Sequence, residues 1–383
     1  MQKKKTKPLR VFEAFAGIGA QSVALRRANI NYVNVGISEW FVNAVLGYDA
    51  INNVGEPEPK VPSYEKQIEY LRRFSFSWDS QTPMTNIERL GKEMVRKLYV
   101  ANVRSKNYGS ITELQPEQMP ACDLLTYSFP CQDLSTGGKT LGMKKGSGTR
   151  SGLLWEIERI LVGLKKRKRL PEYLLLENVP TLIAASNKPD LDSWLTELES
   201  LGYHNSEPRI LVGTDFGVPQ DRKRCIIVSS LHHRLDLGNL SRFSKPNAFD
   251  FLCLDYSNPV FRKEADEASL NPTPSREDMW RINHRDPLSK DTIFHTVTCN
   301  LDRSNNAGMI AYDGPRDGRY KRKYRLLTSR ECFRLMGFND EEYALLQTLD
   351  LSYRQRNKLI GNSIIVNMLQ AVFEYMFKDY QNG

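Results

Sequence analysis

No apolar run in the sequence approaches the roughly 20 residues that a membrane-spanning helix needs. The basic opening Met1-Gln2-Lys3-Lys4-Lys5 leads into no apolar core of the kind a signal peptide carries. The expectation is a cytoplasmic protein with no membrane partner. Cysteine is scarce: the six present (Cys122, Cys131, Cys225, Cys253, Cys299, Cys332) are scattered, with no C-x-x-C pair and no histidine spaced to complete a zinc site. A disulfide framework and a structural metal are therefore not expected. The chain also lacks internal repeats and low-complexity tracts. The dinucleotide fingerprint G-x-G-x-x-G is unmet, because after Gly17 and Gly19 the third glycine is replaced by Ser22 or Val23. That disfavours a nicotinamide dehydrogenase.

What is present is a modest basic excess, Lys and Arg outnumbering Asp and Glu by 54 to 45 for a formal charge of +9. Such a balance suits a polyanionic partner without requiring one. At 383 residues the chain can form one large domain or two of unequal size, and the pattern predicts two. Leu9 to Phe15 reads as a buried strand, Ala16-Gly17-Ile18-Gly19 as a glycine turn and Ala20 to Arg27 as a helix. A second strand, Tyr32 to Ile37, ends at Ser38-Glu39-Trp40. Residues 52 to 107, broken by Pro57, Pro59 and Pro62, read as a surface insertion with two charged helical stretches. Strands recur at Cys122 to Tyr127, Tyr173 to Leu176, Ser206 to Leu211 and Cys225 to Ser230, with helices at Leu153 to Leu164 and Leu191 to Leu201. This alternation predicts an α/β fold, a doubly wound and mostly parallel sheet of Rossmann-like type. From Leu231 to Tyr324 the pattern breaks into a polar block with only short strands, and helical periodicity returns at Leu326 to Gly337 and Ile364 to Phe377. The expected division is a large domain over 1–229, a smaller irregular one over 230–340, and a hinge with a return to the first over 341–383.

Several side chains fall where an open α/β sheet binds ligands, outside the carboxyl ends of its strands. Glycines at the first turn let backbone approach a ligand, and Glu39 at the end of the second strand can meet ribose hydroxyls. The bland alternative is a tight turn with a surface glutamate. Absence of the pyrophosphate fingerprint favours S-adenosyl-L-methionine as the nucleoside cofactor. Cys131 follows Pro130 at the end of the third strand, where a thiolate could act as nucleophile, although any one cysteine can be a small core residue. Glu177 ends a neighbouring strand and is a candidate acid. In Gln220-Asp221-Arg222-Lys223-Arg224 the two arginines stand at alternate positions, which on an extended chain point the same way, toward a thiolate, a phosphate or solvent.

In this order, the segments resemble those of the DNA (cytosine-5)-methyltransferases of bacterial or phage restriction-modification type, over nearly the whole chain. Phe12 to Gly19 is similar to the family's cofactor motif, Glu39-Trp40 to its second, Phe129-Pro130-Cys131-Gln132 to its nucleophile motif, and Glu177-Asn178-Val179 to its acid motif. Gln220 to Arg224 resembles its Q-x-R-x-R element, Arg325 to Phe338 the motif closing the recognition region, and Gly361-Asn362-Ser363 the last motif. Two positions depart from the pattern: Glu13 replaces the usual Asp, and Ser110-Ile111 stands where the third motif usually offers Asp.

The resemblance implies that Cys131 attacks carbon 6 of a flipped-out cytosine in a short duplex site, so that carbon 5 accepts a methyl group from S-adenosyl-L-methionine. Glu177 would bond the ring nitrogen and exocyclic amine, Arg224 the cytosine carbonyl, and Arg222 would support the acid or a phosphate. For the cofactor it implies Phe15, Gly17, Gly19, Glu39, Trp40, Ser110, Ile111, Pro130, Leu153 and Asn362. The glycine-rich loop Gln132 to Arg150 would close over the base. The irregular block becomes a target-recognition domain, with Gln132, Ser135, Thr298, Arg303 and Asn305 meeting double-stranded DNA, base reading concentrated at Cys299 to Asn306, and Lys321 and Arg322 meeting backbone phosphates. The basic run Lys165 to Arg169 reads instead as a solvated helix end. A monomer without metal is expected, with a cognate restriction endonuclease as a possible further partner. The same chemistry on tRNA, and a catalytically silent DNA-binding protein, remain as rival readings.

Overall fold

The computed structural model describes residues 7–130, 151–303, 305–317 and 320–380. Its contacts divide the chain into two compact units, one of 1–211, 224–241 and 370–383, the other of 212–223 and 242–369. Residues 341–369, expected to return to the large domain, thus cluster with the second unit, as does the excursion 212–223.

In chain order the first part of the fold runs β1 (Leu9–Ala14), α1 (Ala20–Arg27), β2 (Tyr32–Ser38), α2 (Val42–Asn52), α3 (Tyr64–Leu71), α4 (Lys92–Arg104), β3 (Leu124–Tyr127), α5 (Leu154–Lys166), β4 (Tyr173–Asn178), α6 (Lys188–Leu201), β5 (His204–Asn205), β6 (Arg209–Val212), β7 (Gln220–Asp221) and β8 (Lys223–Ser230). The main sheet has the order β2-β1-β3-β4-β8-β5, with β6 also pairing β8. β1 pairs in parallel with β2 and β3, and β3 with β4, whereas β8 runs antiparallel to β4. The order reverses beside β1, so the carboxyl ends of β1, β3 and β4 open on one edge, the ligand-binding edge of such sheets. The antiparallel β8 begins at that same edge, with Cys225 opposite Asn178.

Helices cover both faces, so the central strands are apolar without alternation: Leu124, Leu125, Leu174 and Leu175 are all fully or nearly fully buried. α5 turns Leu154, Ile157, Ile160, Leu161 and Leu164 inward at helical spacing and leaves Glu158, Lys165 and Lys166 outside the core. α6 buries Leu191, Trp194, Leu198 and Leu201 and ends at Gly202 in the left-handed conformation (φ 108°), a position glycine takes without a Cβ penalty.

The stretch 52–107 is not the surface insertion expected. α4 buries Val95, Leu98 and Ala101, and Asn107 bridges Ile37 at the end of β2. Its prolines precede helices that belong to the core of the unit.

The second unit contains α7 (Pro259–Ala268), α8 (Pro274–Asn283), the short strands β9 (Phe294–His295), β10 (Met309–Ala311), β11 (Arg316–Asp317), β12 (Tyr320–Lys321) and β13 (Tyr324–Leu326), then α9 (Ser329–Leu335), α10 (Asp340–Gln347) and α11 (Tyr353–Gly361). α12 (Val366–Met376) follows, and after it a one-turn 3-10 helix at Lys378–Tyr380. α7 and α8 occupy a block expected to hold only strands. Each starts with proline in its first turn behind a capping side chain, Asn258 accepting from Val260 N at 2.9 Å and Thr273 accepting from Arg276 N at 3.3 Å. At the centre of the unit Arg325, fully buried, forms two 2.7 Å hydrogen bonds with Glu331, whose carboxylate also accepts from Cys253 N and Thr328 N. Arg325 is therefore a core ion-pair member.

Candidate active site

The turn after β1 is built from positive-φ positions: Phe15 at 56°, Gly17 at 56° and Gly19 at 80°. Phe15 N donates to Ser38 O (2.8 Å), and Gly17 N donates to Glu39 Oε2 (2.9 Å). The other carboxylate oxygen of Glu39 accepts from Phe41 N at 2.8 Å. Glu39 therefore joins the glycine turn to the start of α2, as well as presenting a carboxyl at the strand end. Burial pushes that carboxyl above the usual carboxylate range, against the backbone N–H groups of Phe41, Gly17 and Trp40 that favour the charged form.

The two glycines differ. A Cβ at Gly17 would meet nothing within 4 Å, so this face is open. At Gly19 it would lie 2.7 Å from the Tyr48 ring, so the absence of a side chain at Gly19 serves the packing of α1 against α2. Glu13 is likewise turned inward: fully buried, it accepts from Asn34 Nδ2 (2.8 Å) and Tyr48 OH (2.8 Å) and is also bonded by Ser22. Burial raises its pKa.

Asn107 is a contributor the sequence did not reveal, since nothing in its spacing links it to Glu39. Its Oδ1 accepts from Glu39 N (3.0 Å) and Gly109 N (3.1 Å), while its Nδ2 donates to Glu39 O (2.9 Å). Gly109 O accepts from Ser38 Oγ at 2.8 Å, which fixes the start of the Ser110 turn beside the end of β2. The Ser110 hydroxyl pairs with Thr112 Oγ1 at 2.8 Å. The Ile111 side chain lies in the core, so only its backbone could reach a ligand, and its carbonyl accepts from Arg159 Nη2 at 3.2 Å. Leu153, in the one-turn helix before α5, packs partly buried against the same core. Trp40 is half-buried.

At the end of β3, Phe129 is buried and its carbonyl accepts from Asn178 Nδ2 at 3.1 Å. Asn178 thereby fastens the backbone just before the half-buried Pro130. Cys131, Gln132, Ser135 and the loop through Arg150 lie outside the described residues. Glu177, the preceding residue on β4, is 6% exposed, and its Oε1 lies 2.9 Å from Arg224 Nε. Register explains the meeting: Glu177 pairs with Ile226 and Asn178 with Cys225, bringing the first residues of β8 to the carboxyl end of β4. A carboxylate acceptor and a guanidinium donor side by side can match a planar heterocycle that presents an amine next to a carbonyl.

Arg222 belongs to the second unit and is engaged there. It is 2% exposed, and its guanidinium donates to three backbone carbonyls of the second unit, Val297 O (2.7 Å), Gly361 O (3.0 Å) and Ser363 O (2.7 Å). The alternate-position argument fails because the chain turns between β7 and β8, with Arg222 N donating to Gln220 O at 2.9 Å. Gln220 works with it, Oε1 accepting from Val297 N (2.8 Å) and Nε2 donating to Leu335 O (2.6 Å). Asn362 belongs to the second unit, exposed, its Oδ1 2.7 Å from Cys299 Sγ.

Among the expected DNA contacts, Arg303 and Asn305 are exposed, and Thr298 Oγ1 donates to Asn300 O at 3.1 Å. Asn306 is buried, its side chain holding Arg303 O and Gly308 N, which makes it a brace of the segment. Lys321 is exposed and pairs with Asp313. Arg322 is a correction: Nε donates to Asn271 Oδ1 (2.9 Å) and Nη1 to Ser269 Oγ (3.0 Å), binding the end of α7 instead of offering a fork to phosphate. Among the described residues no cluster of histidine, cysteine and carboxylates could hold a metal ion, and no helix is long and apolar enough to cross a membrane.

A family model described as C-5 cytosine-specific DNA methylase matches residues 85–378. The chain is 36% identical to the orphan methyltransferase M.SssI of Spiroplasma monobiae over 97% of each protein. It is 34% identical to the type II methyltransferase M2.ScrFI of Lactococcus lactis subsp. cremoris, over 97% of this chain and 99% of that one. The crystal structure of S. pombe Dnmt2 methyltransferase superposes with a TM-score of 0.64 at 18% identity, covering 97% of this chain and 99% of that one, a likeness of fold.

Proposed function

Since the chain belongs to the C-5 cytosine-specific DNA methylases, we propose that it methylates carbon 5 of a cytosine turned out of a short specific duplex site, through a covalent adduct with Cys131. The observation that carries this reading is the Glu177–Arg224 pair at the carboxyl end of β4, next to the Phe129-Pro130 turn that Asn178 holds. A cytosine presents a carbonyl, a ring nitrogen and an amine along one edge; Arg224 donates to the carbonyl, while Glu177 holds the ring nitrogen and accepts from the amine. The Cys131 thiolate adds to carbon 6, and its electron pair makes carbon 5 nucleophilic. After carbon 5 is alkylated, loss of its proton returns an electron pair to the ring and expels the thiolate. Turning the base out of a duplex costs a few kcal/mol.

S-adenosyl-L-methionine, when bound, supplies the electrophilic methyl group. The open face at Gly17, the carboxyl of Glu39 and the half-buried Trp40 fit a nucleoside, with Phe15, Ser110, Pro130 and Leu153 completing the set. The second unit meets the DNA site, Arg303 and Asn305 reading base edges and Lys321 holding backbone phosphate.

The test is a duplex carrying 5-fluorocytosine at a site first located by bisulfite sequencing of DNA from expressing cells. Fluorine cannot leave as the proton does, so the enzyme should stay attached, and peptide mapping should place the bond at Cys131. A bond at Cys122 or Cys225, or methylation of tRNA but not DNA, would overturn the reading.

A further inference from the structure

Many arginines of the second unit have acidic partners, and others, such as Arg222 and Arg322, give their guanidinium to neutral acceptors. Arg276 pairs with Asp302, Arg281 with Asp278, Arg325 with Glu331, Arg330 with Glu264, Arg334 with Asp340 and Arg356 with Glu267. Arg285, the second residue after α8, has none among the described residues. Its Nη1 donates to His284 O at a long 3.3 Å, while Nε and Nη2 are screened from solvent and make no hydrogen bond. Buried donors without acceptors are rare in folded proteins and each such group costs stability, so their persistence points to a partner that arrives later.

The surroundings indicate where that partner lies. Arg285 N donates to Met309 O at 3.0 Å, which holds the residue against the start of β10. Its stem crosses Gly308: a Cβ there would come within 3.0 Å of Arg285 Cγ and 3.1 Å of the Phe294 ring, and φ at Gly308 is +151°. Gly308 N is in turn held by Asn306 Oδ1 at 3.0 Å, and Asn306 N donates to Asn283 Oδ1 at 3.3 Å. The guanidinium is thus stationed at the end of the exposed segment carrying Arg303 and Asn305. Burial, with no carboxylate to oppose it, lowers the Arg285 pKa.

We infer that Arg285 is a DNA contact and a determinant of site selection, its unpaired fork swinging out to meet paired acceptors on the duplex. Two DNA features offer such acceptors, the O6/N7 edge of guanine in the major groove and a backbone phosphate. The inference rests on the reading that the second unit meets DNA.

The decisive variant is Arg285→Met, which keeps an aliphatic stem over Gly308 and removes the charge. In the full-length protein it should raise the thermal midpoint, because an unpaired buried cation is gone. It should also weaken binding to a duplex bearing the methylated site by about 5-fold or more, the loss expected of one good bidentate contact. Arg285→Lys separates the sources. If a guanine is read, Lys fails like Met and bisulfite profiling shows relaxed choice at one position of the site. If a phosphate is held, Lys restores binding, the loss in Met is equal for all sequences, and the salt slope falls by about one. Unchanged affinity, site profile and salt slope in Arg285→Met, or a binding loss that accompanies a lowered thermal midpoint, would overturn the inference. Failure of the wild-type protein to methylate any DNA cytosine would instead sink the proposed function and would not depend on Arg285.

Discussion

Glu177 and Arg224, 47 residues apart in sequence, meet with Oε1 and Nε at 2.9 Å, both side chains largely shielded from water. Breaking a buried pair from one side leaves the other charge uncompensated. Arg224→Ala should therefore cost about 3–5 kcal/mol of stability by denaturant unfolding. The double variant Arg224→Ala/Glu177→Gln should recover much of that loss. A double variant no more stable than Arg224→Ala would mean that the pair contributes by shape and not by charge.

Glu177→Gln alone tests chemistry. The amide keeps hydrogen-bonding capacity but cannot supply an acidic proton, so single-turnover methyl transfer should fall by about 100-fold or more while DNA affinity changes little. Equal losses in both would identify a merely structural glutamate.

Arg222 should behave as a clip of the second unit. Arg222→Ala strands three carbonyl acceptors, Val297, Gly361 and Ser363, and should cost about 3 kcal/mol or more. Hydrogen exchange should quicken in the segments around 297 and 361–363. Native stability with a selective loss of turnover would restore Arg222 to the catalytic group.

The glycines of the first turn should separate cleanly. Gly19→Ala drives a methyl into the Tyr48 ring at φ 80° and should cost about 2–4 kcal/mol. Gly17→Ala meets open space, so its stability cost should be about 1 kcal/mol, and its larger effect should fall on S-adenosyl-L-methionine affinity by calorimetry. Comparable affinity losses in both variants, after allowing for stability, would argue against this division.

These outcomes reflect what could be read in the chain before its structure. The strands β1, β3 and β4 were legible because burial on both faces leaves nearly continuous apolar runs, and α5 and α6 because their apolar residues recur at helical spacing. Glu177 and Asn178 could be placed at the carboxyl end of β4 because the apolar run before them marks where the strand stops. Arg222 could not be placed, since alternation of side chains holds only while the chain stays extended, and here it turns. Asn107 was invisible for another reason: it acts on Glu39 from 68 residues away, through contacts that no local pattern encodes. α7 and α8 lie in a block whose polar, Asn-, Pro- and Asp-rich composition hides helical periodicity, yet behind Asn258 and Thr273 their prolines mark helix starts.

The first unit takes in residues 370–383, and Tyr380 O accepts from Asn31 N at 2.8 Å, between β1 and β2. Translation proceeds from the amino end, so this unit cannot be closed on the ribosome when its own sheet has emerged. The second unit, whose residues end at 369, has all its parts before the first does. A nascent chain halted once residue 369 has left the ribosome should therefore hold every residue of the second unit, while the first still lacks the Tyr380 carbonyl that accepts from Asn31 N and the Phe377 ring that packs edge-on against Tyr173.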